Sequence, residues 1–224
     1  MRQHRTRQEY RVRHGRTIVD VPQLHAIILS AGAGRRLGYP KALLTLNEQL
    51  MLPLICQAFK KSGCQHLSVV IRAEHEDLFL DAGLTARELV INPSPDDGRT
   101  SSLLCALQRV SSEHHLLIHS CDIPLISSDA IQQLVIQWLS VAAPEKTIAR
   151  LCSPGGKGGH PLLVGREFVP QLKKFEADQP LRDLLTHNKD ALLNVTRAGD
   201  PGPFLGINTQ EQLELVASLL GDAQ

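Results

Sequence analysis

The sequence predicts an α/β chain on a three-layer, doubly wound and mostly parallel sheet. Three observations carry that prediction. Short β-type runs alternate with longer helical patterns from residue 25 onward, which is how strands joined by helical crossovers read. Each intervening segment is long enough for a right-handed βαβ unit. And 224 residues with 42% hydrophobic side chains suffice to bury one sizeable core. In chain order the strands are expected at "HAIILS" (25–30), "HLSVVIR" (66–72), "ELVINP" (88–93), "HLLIHSC" (115–121), "TIARLC" (147–152) and "LLNVTR" (192–197). A helix over 51–62 brings Ile55 and Phe59 together at the 3.6-residue period, and one over 127–139 opens on Ser127 and Ser128 before Ile131, Leu134, Val135 and Leu139. A last helix begins near 210. The tract "SPGGKGGHP" (153–161) reads as a glycine-rich break, a mobile loop separating a regular first half from a less regular second half. There is no internal repeat and no low-complexity tract.

Charge divides the chain in two. The net charge is only +1, yet residues 1–21 hold Arg2, Arg5, Arg7, Arg11, Arg13 and Arg16 against Glu9 and Asp20, while residues 22–224 carry 18 basic and 21 acidic side chains. Residues 1–22 are therefore expected to be a disordered or loosely docked basic extension, and 23–224 the globular domain. That balance lacks the basic footprint of a dedicated nucleic-acid binder. Five scattered cysteines without a CxxC (Cys56, Cys64, Cys105, Cys121, Cys152) argue against a disulfide framework or zinc ribbon and read as reduced thiols. No apolar run approaches the roughly 18 residues of a membrane span, and no signal peptide follows the arginines, so a cytoplasmic location is expected.

Two loops and one turn hold the chemistry-bearing residues. After the first strand comes "LSAGAGRRLGYPK" (29–41), where Gly32, Gly34 and Gly38 let backbone N–H groups approach an anion while Arg35, Arg36 and Lys41 add charge. It is neither GxGxxG, which would require glycine at Leu37, nor a P-loop. Asp122 ends the apolar run "HLLIHSCDIPL", at the crevice where open α/β sheets bind ligands, and a single carboxylate beside a triphosphate loop suffices for Mg²⁺. A turn-capping role before Pro124 is the alternative. His115, His119 and Cys121 share one strand face, but period-2 spacing spreads side chains about 6 to 7 Å apart and disfavours a metal site. Asn208 in "GINTQEQL" is either an uncharged metal ligand or, with Thr209, a helix cap.

These segments resemble, in order, the motifs of the MobA-like NTP-transferase family, which includes the molybdenum cofactor cytidylyl- and guanylyltransferases and sugar-1-phosphate nucleotidyltransferases. "LSAGAGRRLGYPK" is similar to that family's LAxGxGxRMGxPK opening, "NPSPDDGRTSSLLCAL" (92–107) to its Asn-Pro and Gly-x-x-Ser-Ser-Leu segment, and "SCDIPLIS" (120–127) to its D-x-P-L motif. "GGHPLLV" (158–164), "DQPLRDLL" (178–185) and "GINTQEQL" (206–213) follow where the family has G-H-P, D-x-G-x-R-x-L-L and its C-terminal motif. The resemblance covers about residues 24–217 and is closest to the molybdenum cofactor cytidylyltransferases.

The resemblance implies a Rossmann-like, GT-A-like nucleotidyltransferase that moves an NMP, CMP from CTP first of all, onto a phosphate of an acceptor such as molybdopterin, releasing pyrophosphate. It implies catalytic roles for Arg36, Lys41 and Asp122. It implies nucleotide contacts by Leu29, Ala31, Gly32, Gly34, Arg36, Lys41, Asn92, Gly98, Ser101, Ser102 and Asp122. His160, Arg182 and Asp183 are implied at the acceptor, and Asp122 and Asn208 as ligands of Mg²⁺. A molybdoenzyme receiving the product is an implied partner; a membrane is not, nor a nucleic acid. Asn208 and Gly206 stand where the cytidylyltransferases usually have Asp, which blurs the subgroup. Guanylyl or uridylyl transfer to a molybdopterin or a sugar 1-phosphate is the alternative, and a catalytically silent nucleotide-binding protein is the reading from another class. Because an acceptor phosphate is already ionised, no general base is required.

Overall fold

The computed structural model describes residues 9–11, 18–20, 23–34, 38–46 and 48–221. Seven strands form the central sheet: β1 (Leu24–Leu29), β2 (His66–Ile71), β3 (Leu89–Ile91), β4 (His115–Ser120), β5 (Ile148–Cys152), β6 (Gly158–Val164) and β7 (Leu192–Thr196). Their order across the sheet is β7-β5-β6-β4-β1-β2-β3. All neighbouring pairs are parallel except those of β6, which runs against both β4 and β5. Chain order turns back on itself at β1, between β2 and β4, and the sheet is therefore doubly wound with a crevice at the strands' carboxyl ends.

Alternation along β1 explains the layers. Ala26 and Ile28 face one side, where α1 (Met51–Lys61) and α4 (Ser128–Leu139) bring Leu52, Ile55, Phe59, Leu134 and Trp138. Ile27 and Leu29 face the other, where α3 (Arg99–Leu107) brings Leu103 and Leu107, and Leu172 and Phe175 complete the layer. Burying side chains of this size contributes roughly 1.5 to 3 kcal/mol each, so the two faces are where stability concentrates. Both expected helices form, and Ser127 Oγ accepts from Ala130 N at 3.1 Å to start α4.

The glycine-rich tract departs from expectation. Residues 158–161 of that supposed mobile loop open β6, which lies in the interior of the sheet. A tight turn replaces the crossover there, with Ser153 N donating to Lys157 O at 2.9 Å. The sequence hid this strand because its first residues are two glycines and a His-Pro, all poor strand signals. Within the basic extension, Glu9–Arg11 and Ile18–Asp20 pair as an antiparallel ribbon.

Candidate active site

The glycine loop leaves β1 at its carboxyl end and is fastened on both sides. Ser30 Oγ donates to Val70 O at 2.6 Å, and the Arg72 guanidinium, through Nε, donates to Ala31 O at 2.9 Å. Arg72 also meets Asp96 at 2.7 Å, so it ties the loop to the 95–97 turn. Gly34 has φ +66°, and a Cβ there would collide with the Tyr39 carbonyl, which restricts the position to glycine. Arg35, Arg36 and Leu37 lie outside the described residues, so the expected roles of Arg36 have no structural counterpart here.

Three loops converge on one cation. Lys41 begins a short 3₁₀ turn after Pro40, and its Nζ donates to Asn208 Oδ1 at 2.8 Å while lying 3.5 Å from Asp122 Oδ2. Asp122 follows β4, and Asn208 precedes α7 (Gln210–Gly221); the backbone joins them where Ile207 N donates to Asp122 O at 2.8 Å. Asn208 does not cap that helix. Thr209 Oγ1 accepts from Gln212 N at 3.4 Å and the Gln212 amide oxygen accepts from Asn208 N at 2.7 Å, which leaves the Asn208 side chain for Lys41. Gly206 packs beside this point, and a Cβ on it would meet Ile123 at 3.2 Å and the Asn208 amide at 3.4 Å.

Asp122 is ionised at neutral pH. Burial alone would push its carboxyl up, but a hydrogen bond from Ser120 and the positive charge of Arg99 and Lys41 outweigh it and hold the group below the usual carboxylate range. Arg99 Nη2 is 3.5 Å from Asp122 Oδ2 and was missed by the sequence reading, although it directly follows Gly98 in a motif already singled out.

Around this cluster lies a cleft of about 400 Å³ whose lining includes Leu29, Ala31, Gly32, Gly34, Lys41, Gly98, Ser102, Asp122 and Asn208, all singled out in the sequence, together with Arg99 and Ser120. Two expected nucleotide contacts do not line it. Asn92 is 2% exposed and donates to Ser101 Oγ and Ser102 Oγ, both at 3.0 Å, while Ser101 Oγ donates to Gly98 O at 2.8 Å. They brace the turn that presents Gly98 and Ser102.

A second cleft of about 440 Å³ opens beside the first and shares Leu29, Arg99 and Ser120 with it. His160 and Arg182 line it, whereas Asp183 does not and accepts from Gln179 Nε2 at 3.4 Å. Burial holds the His160 imidazole below its ordinary pKa, against the pull of Asp122, so it is neutral at pH 7. The strand-face trio does not converge. His115 accepts from Arg166 N at 3.1 Å, His119 bonds the Ile123 carbonyl at 2.9 Å, and burial drives the Cys121 thiol up to about 12. Among the described residues no group of three or more His, Cys, Asp or Glu is placed to hold a metal.

The oxygens that Lys41 gathers fit a hard cation in their chemistry. The Lys41 ammonium draws one carboxylate oxygen and one amide oxygen onto a single point of positive charge, and hard oxygens of this kind suit Mg²⁺, which takes one or two protein oxygens and fills the rest of its shell with phosphates and water.

Known proteins share the fold, and several of those similar to this chain are named as nucleotidyl- or guanylyltransferases. The chain is 24% identical over 196 residues to nicotine blue oxidoreductase of Paenarthrobacter nicotinovorans, covering 87% of this chain and 96% of that one. It is 27% identical over 206 residues to a probable molybdenum cofactor guanylyltransferase of Nostoc, covering 89% and 93%. A nucleotidyl transferase of Methanothermobacter thermautotroptrophicus superposes with a TM-score of 0.73 at 18% identity, over 90% of this chain and 99% of the other. The model of the MobA-like NTP transferase domain matches residues 26–192. Because that match spans the glycine loop, Asp122 and every residue lining the second cleft, the chain belongs to the MobA-like NTP transferase family.

Proposed function

We propose that the protein transfers a nucleoside monophosphate from a nucleoside triphosphate to a phosphate of a molybdopterin acceptor, with release of pyrophosphate. The observation that carries this reading is the Lys41–Asp122–Asn208 cluster in the cleft walled by the glycine loop, with Arg99, 3.5 Å from Asp122, shared with a second cleft of mixed polar and apolar lining. In such an arrangement the triphosphate lies along the loop with its α-phosphorus toward Asp122, and the acceptor phosphate enters from the second cleft for in-line attack. The bond between the acceptor oxygen and the α-phosphorus forms as the bond to the pyrophosphate oxygen breaks. No base is needed, since that phosphate is ionised.

Each residue then has a task. The ammonium of Lys41 leaves Asn208 for the phosphates, Arg99 forks between donor and acceptor phosphates, and Asp122 with Asn208 would hold Mg²⁺. When bound, that ion neutralises charge on the α-phosphate and the leaving pyrophosphate. Relatives named as molybdenum cofactor guanylyltransferases favour GTP as the donor. CTP is the second reading, favoured by the G-x-P-K of residues 38–41 and the Gly-x-x-Ser-Ser of 98–102. The test is pyrophosphate release from each of the four ribonucleoside triphosphates with molybdopterin and with several sugar 1-phosphates. Release with GTP or CTP and molybdopterin is expected; release only with sugar phosphates overturns the acceptor, and none with any pair overturns the activity.

A further inference from the structure

At the amino ends of the strands, away from the catalytic crevice, a cavity of about 380 Å³ opens beside β1 and β2. Its size is that of a small-molecule site, roughly 300 to 1,000 Å³. Three cationic side chains from three different segments stand on its wall: Lys60 from the last turn of α1, Arg87 from the turn before β3, and Arg109 from two residues past α3. Glu88 is the one carboxylate there. His25, His66 and Cys64 complete the titratable lining, and Leu67 is the one aliphatic side chain, which leaves little for an apolar ligand.

Two of the cations are held in place. Lys60 Nζ meets Glu88 Oε1 at 2.6 Å, while Glu88 Oε2 accepts from Thr85 N at 2.9 Å and from Thr85 Oγ1 at 3.0 Å. Arg109 Nη1 donates to Leu89 O at 2.6 Å, which anchors one side of its fork on the edge strand. Among the described residues no carboxylate pairs with Arg109, and the Arg87 guanidinium has neither an ion pair nor a hydrogen bond. Deepest in the cavity is His25, 6% exposed, whose Nε2 bonds Ser68 Oγ at 2.8 Å while its buried Nδ1 has no partner.

Charge decides the ligand class. Both Glu88 oxygens are engaged within the wall, so Lys60 is compensated and the two guanidiniums are not. A carboxylate would cancel one of them. A phosphate dianion cancels both and presents three oxygens to donors arriving from separate segments, the geometry that guanidinium forks recognise.

We propose that this cavity is a second anion site, which holds a phosphate dianion, free or as the monoester of a small molecule, between Arg87, Arg109 and Lys60. Strands of six residues at about 3.3 Å each separate it from the glycine loop. Its occupant is therefore distinct from the phosphates of the proposed transfer, and the site stands independently of that function.

The experiment is isothermal titration calorimetry of the full chain with ribose 5-phosphate, inorganic phosphate, ribose and acetate. One phosphate-binding step should survive in Lys41→Ala, whose glycine loop has lost its cation. Adding Arg87→Gln to that protein removes a side chain with no partner to lose; it should weaken the step roughly 5- to 50-fold, the lower figure reflecting solvent screening, with the melting temperature unchanged. Arg109→Gln should act in the same direction, and ribose and acetate should not bind. Tighter binding of ribose 5-phosphate assigns the occupant as a monoester, and equal or tighter binding of inorganic phosphate assigns the free ion. No phosphate binding in Lys41→Ala, a step unaffected by Arg87→Gln, or acetate bound as well as phosphate overturns the site.

Discussion

Lys41 holds two oxygens that a divalent cation would otherwise share, and this makes its removal informative in two ways. Losing one charge-assisted phosphate contact costs about 1.5 to 3 kcal/mol, so Lys41→Ala should lower catalytic efficiency roughly 10- to 150-fold. Steady-state kinetics with nucleotide and acceptor varied separately will check it. Asn208 separates ligand from cap more sharply. Because Thr209 and Gln212 cap α7, Asn208→Leu should leave the melting temperature nearly unchanged yet raise the Mg²⁺ concentration needed for half-maximal activity, and Asn208→Asp should lower it by adding charge. Thr209→Val should do the reverse, costing about 1 kcal/mol of stability with magnesium dependence intact. Parallel magnesium titrations and melts of the three variants check the set. At this scale Asp122 was legible, since a lone carboxylate ending an apolar run has few structural uses. Arg99 was not, because an arginine on a loop looks the same whether it faces solvent or a carboxylate.

Strand ends explain the pH behaviour expected of the whole element set. His25 beside β2, His66 and His114 stand at the amino ends of the parallel strands with ring centroids 4.5 to 5.8 Å apart. Burial, then the neighbouring imidazoles His114 and His66, lower the His25 pKa to about 4; burial also lowers His115 to about 4 and His119 to about 3. The folded state therefore binds fewer protons than the unfolded chain, whose histidines titrate near 6.5. Stability is full above that value and falls as the pH drops from 6.5 toward 4. Melting temperatures measured at pH 7.5, 6.0 and 5.0 should decrease in that order, and His25→Gln should flatten the decrease. Asp122, held low, stays ionised over this range, so loss of activity near pH 5 should follow loss of fold. The element least legible in the sequence is β6. Its glycines carry no strand signal, yet they are what allow it to pass beneath Arg150 and beside Phe204.

Across the whole molecule the two clefts meet at Arg99, on the first residue of α3, and a residue that touches both should affect both substrates. Arg99→Ala should raise the KM for nucleotide and for acceptor together by roughly tenfold each, whereas a residue confined to one cleft should raise only one; initial-rate kinetics over a grid of both substrates will tell these apart. From the chain alone came the doubly wound layers, because alternation of apolar strands with amphipathic helices is local periodicity that any window of the chain displays. Lys41, Asp122 and Asn208 were also readable there, as the basic residue closing a glycine loop, a carboxylate ending an apolar run and a residue of the last motif that resembles the family. Only the tertiary structure decided that Asn92 and Ser101 brace the turn beside the first cleft, that Asp183 does not line the second, and that Arg99 and Arg150 do. Those outcomes depend on which side of a loop faces the crevice. Side-chain direction in irregular backbone follows from contacts between segments 40 to 170 residues apart, such as Lys41 with Asn208, and local pattern does not encode them.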